Sequence, residues 1–473
     1  MNIIRSSGKT LFANIVGALS IFTGLILFSR LLSAETIGSF FLFQALLGLL
    51  SILADFGIRG ALEKRISENQ RRGQIVSAAI LMKTPVLAGI AIVILIFRLT
   101  INGYIGADVA VLLVLTLFTR ESFLTTVHTL NGELRVGETA SLKLVQKVLW
   151  ISTAVGLITI GYGVHGIIYG LMVGHIVSSI WGGIKISILP HHPTFDEIYS
   201  LLDYAIYNLV ADIGGYAYNW IDIAVIGIFL TNAYVSSYEF AWRVTEVVIL
   251  FSNSLAVVLF PQVSYWMTDG SKNKVENLLE NAINATIYIV IPAFFGTLLF
   301  ADEILRLLFG LEYTIASVAL IILMAETIVQ SLHKLFSRVL LGVDKPSLTA
   351  IATTVSVSTN VCLNLLLIPL FGLPGAAIAT SASFMLNTAI HVRYLSKFIT
   401  IQGDSSVLFS CVLCSIIMSA VLLLLKSQVV INSLPTLLVI VITGATLYVV
   451  MTLMFRSLRT ELLRTLNSAR SNL

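Results

Sequence analysis

The chain has 473 residues, 57% of them hydrophobic and only 11% charged, with a mean hydropathy of +0.94. A water-soluble domain carries about a quarter charged residues to cover its surface, so this composition excludes one. The net charge of +4 is too small for the basic footprint of a nucleic-acid-binding protein, and no nucleic-acid partner is expected.

Arg5 and Lys9 precede an apolar run from Leu11 to Leu32. A signal-peptide core spans about 7–15 residues, so this longer run reads as a first membrane helix that stays in the mature chain. A span needs about 20 mostly apolar residues. On that measure fourteen spans follow in chain order, at 11–32, 37–58, 75–97, 108–129, 143–161, 163–184, 201–230, 236–260, 281–300, 315–341, 347–368, 374–396, 406–426 and 434–455. The predicted fold class is an all-α integral membrane protein. No connection could hold a folded domain of about 50 residues, so any chemistry belongs within the membrane layer or at its faces.

Lysine and arginine set the orientation. With the N-terminus inside, 21 of these residues fall in inside segments, and Arg30, Arg98, Arg306 and Lys426 fall outside. Both termini are then cytoplasmic. Lys83, Arg120, Arg243 and Lys334 remain within helices. Cys362, Cys411 and Cys414 lie in apolar runs and read as small apolar side chains rather than a disulfide, redox or metal site. His128, His165, His175 and His391 are scattered, and no metal-ligand spacing is present.

A weak repeat runs through the chain. Tyr162-Gly163-Val164-His165-Gly166 opens the sixth span and Phe371-Gly372-Leu373-Pro374-Gly375 the twelfth. Ile37-Gly38-Ser39-Phe40 and Val235-Ser236-Ser237-Tyr238 stand near the starts of the second and eighth. The two offsets nearly agree, which suggests that spans 1–6 and 7–12 are related halves. An even number of spans per half makes them parallel repeats about a pseudo-twofold axis along the membrane normal. The competing account is chance similarity in low-diversity apolar sequence.

Two stretches resemble a known family. One is Ala34-Glu35-Thr36-Ile37-Gly38-Ser39-Phe40-Phe41 running on to Leu53-Ala54-Asp55-Phe56-Gly57-Ile58. The other is Gly342-Val343-Asp344-Lys345-Pro346, with Asn364, Ile368-Pro369 and Phe371-Gly372-Leu373-Pro374-Gly375-Ala376-Ala377-Ile378-Ala379-Thr380 after it. Both resemble the polysaccharide-transporter branch of the multidrug/oligosaccharidyl-lipid/polysaccharide (MOP) exporter superfamily, which includes the O-antigen and capsule repeat-unit flippases. The resemblance implies two six-helix bundles, here 1–195 and 196–400, with two appended helices and a cytoplasmic tail at 401–473. It implies a central cavity that opens alternately to each side. The implied cargo is a polyprenyl-pyrophosphate-linked oligosaccharide, flipped from the cytoplasmic to the outer leaflet. It also implies a polysaccharide polymerase and chain-length protein as partners, and a bacterial inner membrane or an archaeal plasma membrane as the location. No cofactor is implied.

Such a cargo needs cations for its phosphate and polar or aromatic groups for its sugars. A charge at a helix centre costs about 2.5–3.5 kcal/mol on insertion scales, so charges there need a reason. The cationic candidates for cargo binding are Arg120, Arg243, Lys83 and Lys334. The acidic candidates for partners or ion coupling are Glu121, Asp212, Asp222, Glu239, Glu246 and Glu326. Each has a plainer alternative. Glu239, Arg243 and Glu246, at i, i+4 and i+7, make an equally good self-neutralising stack. Lys83 can snorkel to the interface, and Lys334 with Arg338 can simply follow the positive-inside rule. Asp55 and Arg59 read as a structural loop anchor. Arg120 and Glu121 are adjacent, about 100° apart on a helix, and cannot stack on one face. Gly166, Gly170 and Gly174 recur every four residues, which suits close helix packing or bending during transport.

Other functions fit less well. A cation-coupled drug antiporter usually has twelve helices, whereas a lipid II flippase shares the fourteen-helix layout. A membrane glycosyltransferase or polymerase needs a large outer loop. The longest outside connection, around Ala301 to Thr314, is short, and no nucleophile–base pair or phosphate-cradling loop is present. The chain is expected not to be an enzyme.

Overall fold

The computed structural model describes residues 3–68 and 71–454; the side chains of 3–15, 207–208, 210–215 and 217–219 lie outside the described set. Every regular element among the described residues is helical. In chain order these are α1 (Ile3–Leu31), α2 (Ala34–Asp55), α3 (Ile58–Ser67), α4 (Arg72–Ile96), α5 (Arg98–Ile105), α6 (Ala110–Gly132), α7 (Val136–Thr159) and α8 (Gly163–Lys185). There follow α9 (Phe195–Phe229), α10 (Asn232–Thr268), α11 (Lys272–Leu308), a 3-10 turn (Leu311–Ala316), α12 (Ser317–Gly342), α13 (Pro346–Phe371), α14 (Leu373–Leu395), α15 (Ser405–Gln428) and α16 (Leu434–Met454). The expected tail beyond Met454 lies outside the described residues.

Twelve of these helices are long and apolar enough to cross a membrane. Two others carry shorter apolar segments, Val16–Leu31 in α1 and Trp220–Phe229 in α9, where the first and seventh spans are expected. Helices suit the bilayer because each backbone group finds its partner within the segment.

Two connections hold short helices that hydropathy misses. In α3 the apolar Ile58, Ala61, Leu62 and Ile66 form a buried face, and Lys64 and Arg65 occupy the last turn, where cations suit the helix dipole. The chain turns into α3 through Phe56 and Gly57, both left-handed at φ 49° and 79°. A Cβ at Gly57 would also strike the Ala205 carbonyl oxygen. The second short helix is α5. In addition, α10 runs for 37 residues, about 55 Å against a hydrocarbon layer of about 30 Å, and α11 also covers 37 residues but kinks at Phe300 (φ −125°, ψ 19°). The excess takes α10 beyond the expected span end at 260 as far as Thr268, and starts α11 at Lys272, ahead of the expected span at 281; Val263, Val275 and Leu279 pack together there.

The chain divides into two compact units, 1–236 and 237–473. Helix counting expects a division at 195/196; packing groups α9 with the helices before it. The reason is a shared core, in which Leu201 and Ala205 of α9 join Ile58, Ala61, Leu62 and Ile66 of α3 and Ile75, Val76, Ala78 and Ala79 of α4. Within the first unit, Gly170 and Gly174 of α8 lie on the α7 backbone. A Cβ at Gly170 would stand 2.6 Å from the Trp150 carbonyl oxygen, and one at Gly174 would stand 2.6 Å from that of Gln146. Close packing is therefore their role here. Within the second unit, α15 and α16 pack on α11 through Ile291, Phe300, Met418, Leu422, Leu437 and Ile440. Cys411 and Cys414 are free thiols in that core, and Cys362 is exposed.

A charged clamp fixes the start of α9. The Thr194 N–H donates to Glu197 at 2.8 Å, the Thr194 hydroxyl bonds the same carboxylate, and Arg71 donates to it at 2.9 Å. The Thr194 hydroxyl first, then the Arg71 guanidinium, hold the Glu197 carboxyl near about 2 against an ordinary 4.5. A carboxyl depressed in the folded state stabilises it fully above its unfolded pKa and loses that effect as pH falls. Hydrogen exchange at residues 195–198 should therefore accelerate as pH drops from about 4.5 towards about 2, after correction for intrinsic rates. Glu197→Gln should show weak protection already at neutral pH and no acid step.

Candidate functional site

The first unit contains a buried charge network that joins three helices. Lys83 of α4 lies 2.6 Å from Asp55 of α2 and 2.9 Å from Glu121 of α6, and it also donates to Thr125 at 3.3 Å. Ser51 of α2 donates to Glu121 at 2.5 Å. Asp55 accepts from the Arg59 backbone at 3.2 Å and pairs with its side chain at 3.0 Å. Lys83, Asp55 and Glu121 are each at most 4% exposed. Two carboxylates thus face two cations, and the cluster is neutral. Lys83 does not snorkel: its ammonium is held within the protein. Asp55 and Arg59 do anchor the turn into α3, and they also belong to this larger network.

Arg120 is arranged differently. It precedes Glu121 by one position, about 100° round α6, and no ion pair joins it to the network among the described residues. It lies within electrostatic reach of His175 of α8 and Tyr216 of α9. No carboxylate among the described residues pairs with it, and its buried Nε meets no hydrogen-bond acceptor there. Although the Arg120 charge acts on the Tyr216 phenol, the hydroxyl makes no hydrogen bond of normal geometry. Tyr216 stacks on Trp220 with ring centroids 6.1 Å apart, and Phe123 stacks on His175 at 5.6 Å. The close approach of Tyr216 depends on Gly48 of α2, where a Cβ would collide with the phenol hydroxyl. An arginine beside aromatic rings offers donors to an oxyanion and flat faces to a sugar ring. Sequence reading named Arg120 but passed over Gly48, Tyr216 and Trp220, because nothing local distinguishes them from ordinary packing residues. Asp222 is buried on α9. Asp212 and Asn219 are on the same helix, with side chains outside the described residues.

In the second unit, the α10 trio forms a ladder. Arg243 bonds Glu246 at 2.6 Å and also bonds Glu239, which is buried. Its charge is already matched on its own helix, as the self-neutralising alternative describes. Lys334 of α12 is half-buried, within electrostatic reach of Glu326, Glu246 and Arg338. Glu326 and Gln330 are buried on the same helix. No group of three or more His, Cys, Asp or Glu side chains suited to a metal occurs among the described residues. A crevice lined by Arg65, Glu68, Arg71, Ile75, Asp196, Glu197 and Ser200 lies at the α3–α4–α9 core, away from Arg120.

Known proteins share this architecture. The polysaccharide biosynthesis protein family matches residues 27–318, more than half of the chain. A Haloferax volcanii protein named probable low-salt glycan biosynthesis flippase Agl15 is 44% identical over 459 residues, 97% of each chain. A second from that organism, named probable flippase AglR, is 27% identical over 453 residues, 94% of each. Among solved structures, the lipid II flippase MurJ in an inward closed conformation superposes with a TM-score of 0.80 at 17% identity, covering 96% of this chain and 98% of that one. An inward-facing multidrug resistance MATE family transporter of the MOP superfamily superposes with a TM-score of 0.64 at 17% identity, covering 80% and 94%. The likenesses in structure establish a MOP-type fold, and those in sequence establish that this chain belongs to the polysaccharide biosynthesis protein family.

Proposed function

We propose that this protein is a flippase that carries a polyprenyl-phosphate- or pyrophosphate-linked oligosaccharide from the cytoplasmic to the outer leaflet by alternating access, for surface glycan assembly. The observation that carries this reading is the 44% identity, over 97% of both chains, with a protein named a probable glycan biosynthesis flippase. The chemistry of the first unit agrees. The lipid tail of such a cargo stays in the bilayer, while its head crosses a layer where each unsatisfied polar group costs several kcal/mol. Arg120 meets the phosphate, and Tyr216 and Trp220 offer faces to the sugars. Lys83 sits in a neutral cluster and positions α2, α4 and α6 around them. Arg243 and Lys334 supply further cationic charge in the second unit, but carboxylates already face both, so Arg120 ranks first. Asp212, Asp222, Glu246 and Glu326 are the acidic groups available for ion coupling.

The moving halves are the helix sets 1–195 and 196–400, with 401–473 appended. The protein lies in the plasma membrane with both termini cytoplasmic, as the bias of lysine and arginine supports. It makes and breaks no covalent bond. Its product passes to a polymerase and chain-length partner. An anion leaving a negative interior gains about 2.3 kcal/mol per charge per 100 mV, enough to bias the direction without ATP.

Deleting the gene should abolish the surface glycan and leave intact glycan-lipid on the cytoplasmic leaflet. An unchanged leaflet distribution would reject the reading. Arg120→Gln combined with Arg243→Gln should lower flipping of the native glycan-lipid in cells by at least about tenfold, the equivalent of one lost charged hydrogen bond of about 1.5–3 kcal/mol. Full transport in that double variant would dismiss the site assignment. Lys83→Met should act on folding instead. It strands two buried carboxylates, and breaking a buried pair costs about 3–5 kcal/mol. The variant should show low yield of folded protein and a reduced Tm in detergent, with Asp55→Asn/Lys83→Met/Glu121→Gln recovering part of the loss.

A further inference from the structure

The second unit contains two histidines without a role in the reading above. His333 of α12 and His391 of α14 meet edge to face, with ring centroids 4.7 Å apart and planes at 89°. His391 is fully buried. Its Nδ1 stands 2.9 Å from the carbonyl oxygen of Asn387, one turn earlier on α14. A carbonyl oxygen only accepts, so Nδ1 carries the hydrogen, and Nε2 of the neutral ring has a bare lone pair. That Nε2 is buried and has no hydrogen-bond partner among the described residues. The same holds for His333 Nδ1 and, beside it on α12, for Gln330 Oε1 and Ser331 Oγ. A buried imidazole whose Nδ1 hydrogen is fixed by a carbonyl keeps its Nε2 lone pair as the basic site of the ring.

We propose that His333 and His391 form a proton-binding site of the second unit, which takes up one proton on the His391 Nε2 lone pair. The charged surroundings limit it to one. On α12, Lys334 acts directly on His333, and Arg338 and Glu326 act on Lys334. From α10, Glu246 reaches Lys334. On α14, Arg393 follows His391 by two positions. Against α12, α11 presents the apolar Leu279, Ala282 and Ile283. The buried polar residues of α13, namely Ser356, Asn360 and Asn364, do not titrate. A second proton would place two imidazolium rings and the Lys334 ammonium together, and like charges at that range oppose ionisation. Because the two rings belong to different helices, uptake of the proton changes the contact between α12 and α14. The link from that contact to transport rests on the flippase reading; the binding of the proton does not.

The test is nitrogen-15 NMR of histidine-labelled full-length protein in lipid nanodiscs, titrated from about pH 4 to 8. Of the seven histidines, the pair is assigned by His333→Gln and His391→Gln, or by the corresponding Phe variants, which keep a planar ring in the contact, if the Gln variants do not fold. We expect a single cation for the two rings, and in each single variant a shift of the remaining midpoint by at least about one pH unit. Two rings that stay neutral throughout, or that titrate independently, would overturn the proposal. Proteoliposomes bearing a fluorescent polyprenyl-phosphate sugar then test the link to transport. A pH gradient should change the flipping rate of the wild type at least twofold and leave His391→Phe unaffected. A wild-type rate indifferent to the gradient refutes the coupling. No flipping of the probe at all counts against the flippase reading, and the NMR titration alone then decides the proton site.

Discussion

A charge in the hydrocarbon layer must find its counter-charge within the protein, and much of this molecule is arranged around that constraint. Lys83 is the clearest case. Its ammonium meets Asp55 and Glu121 from two other helices, with Ser51 and Thr125 filling the remaining hydrogen-bond sites. The same cluster reaches the end of α2, where Asp55 also holds the Arg59 backbone and so fixes the turn into α3. One neutral group of side chains thereby sets the register of α2, α4 and α6 and the direction of the chain as it leaves the bilayer. The Arg243 ladder on α10 solves the same problem within a single helix.

Packing in lipid follows different rules from packing in water. Lipid tails are as apolar as leucine, so burial of apolar surface does not bring membrane helices together. Close backbone approach does, and the α7–α8 contact through Gly170 and Gly174 is an example. Elsewhere α3, the start of α4 and the start of α9 share an apolar core, with Arg71 and Glu197 paired beside it. This is why α9 belongs to the first packing unit although it is the seventh span in order.

Against this background of matched charges Arg120 stands apart. Its partners among the described residues are aromatic, and a glycine on α2 makes room for the nearest of them. Among the described residues no carboxylate offsets its charge, which is what makes it the first candidate for an anionic ligand in the proposed function. In the proposed function that ligand is the phosphate linkage of the cargo.

The sequence by itself determined the helical membrane class, the places of the spans and the family, because twenty-residue apolar runs and the positive-inside bias are one-dimensional signals. It also marked the charges that need explaining. It could not say which of them neutralise each other. Lys83, Asp55 and Glu121 are far apart in the chain, and their meeting depends on how three helices rotate about their own axes. Adjacent residues such as Arg120 and Glu121 have opposite fates for the same reason. Hydropathy also missed α3 and α5, which are too short or too polar for a span, and it ended α10 and α11 at the edge of the apolar run while the helices continue. Tyr216, Gly48 and the His333–His391 pair became visible only in three dimensions, since each acquires its chemistry from a neighbour on another helix.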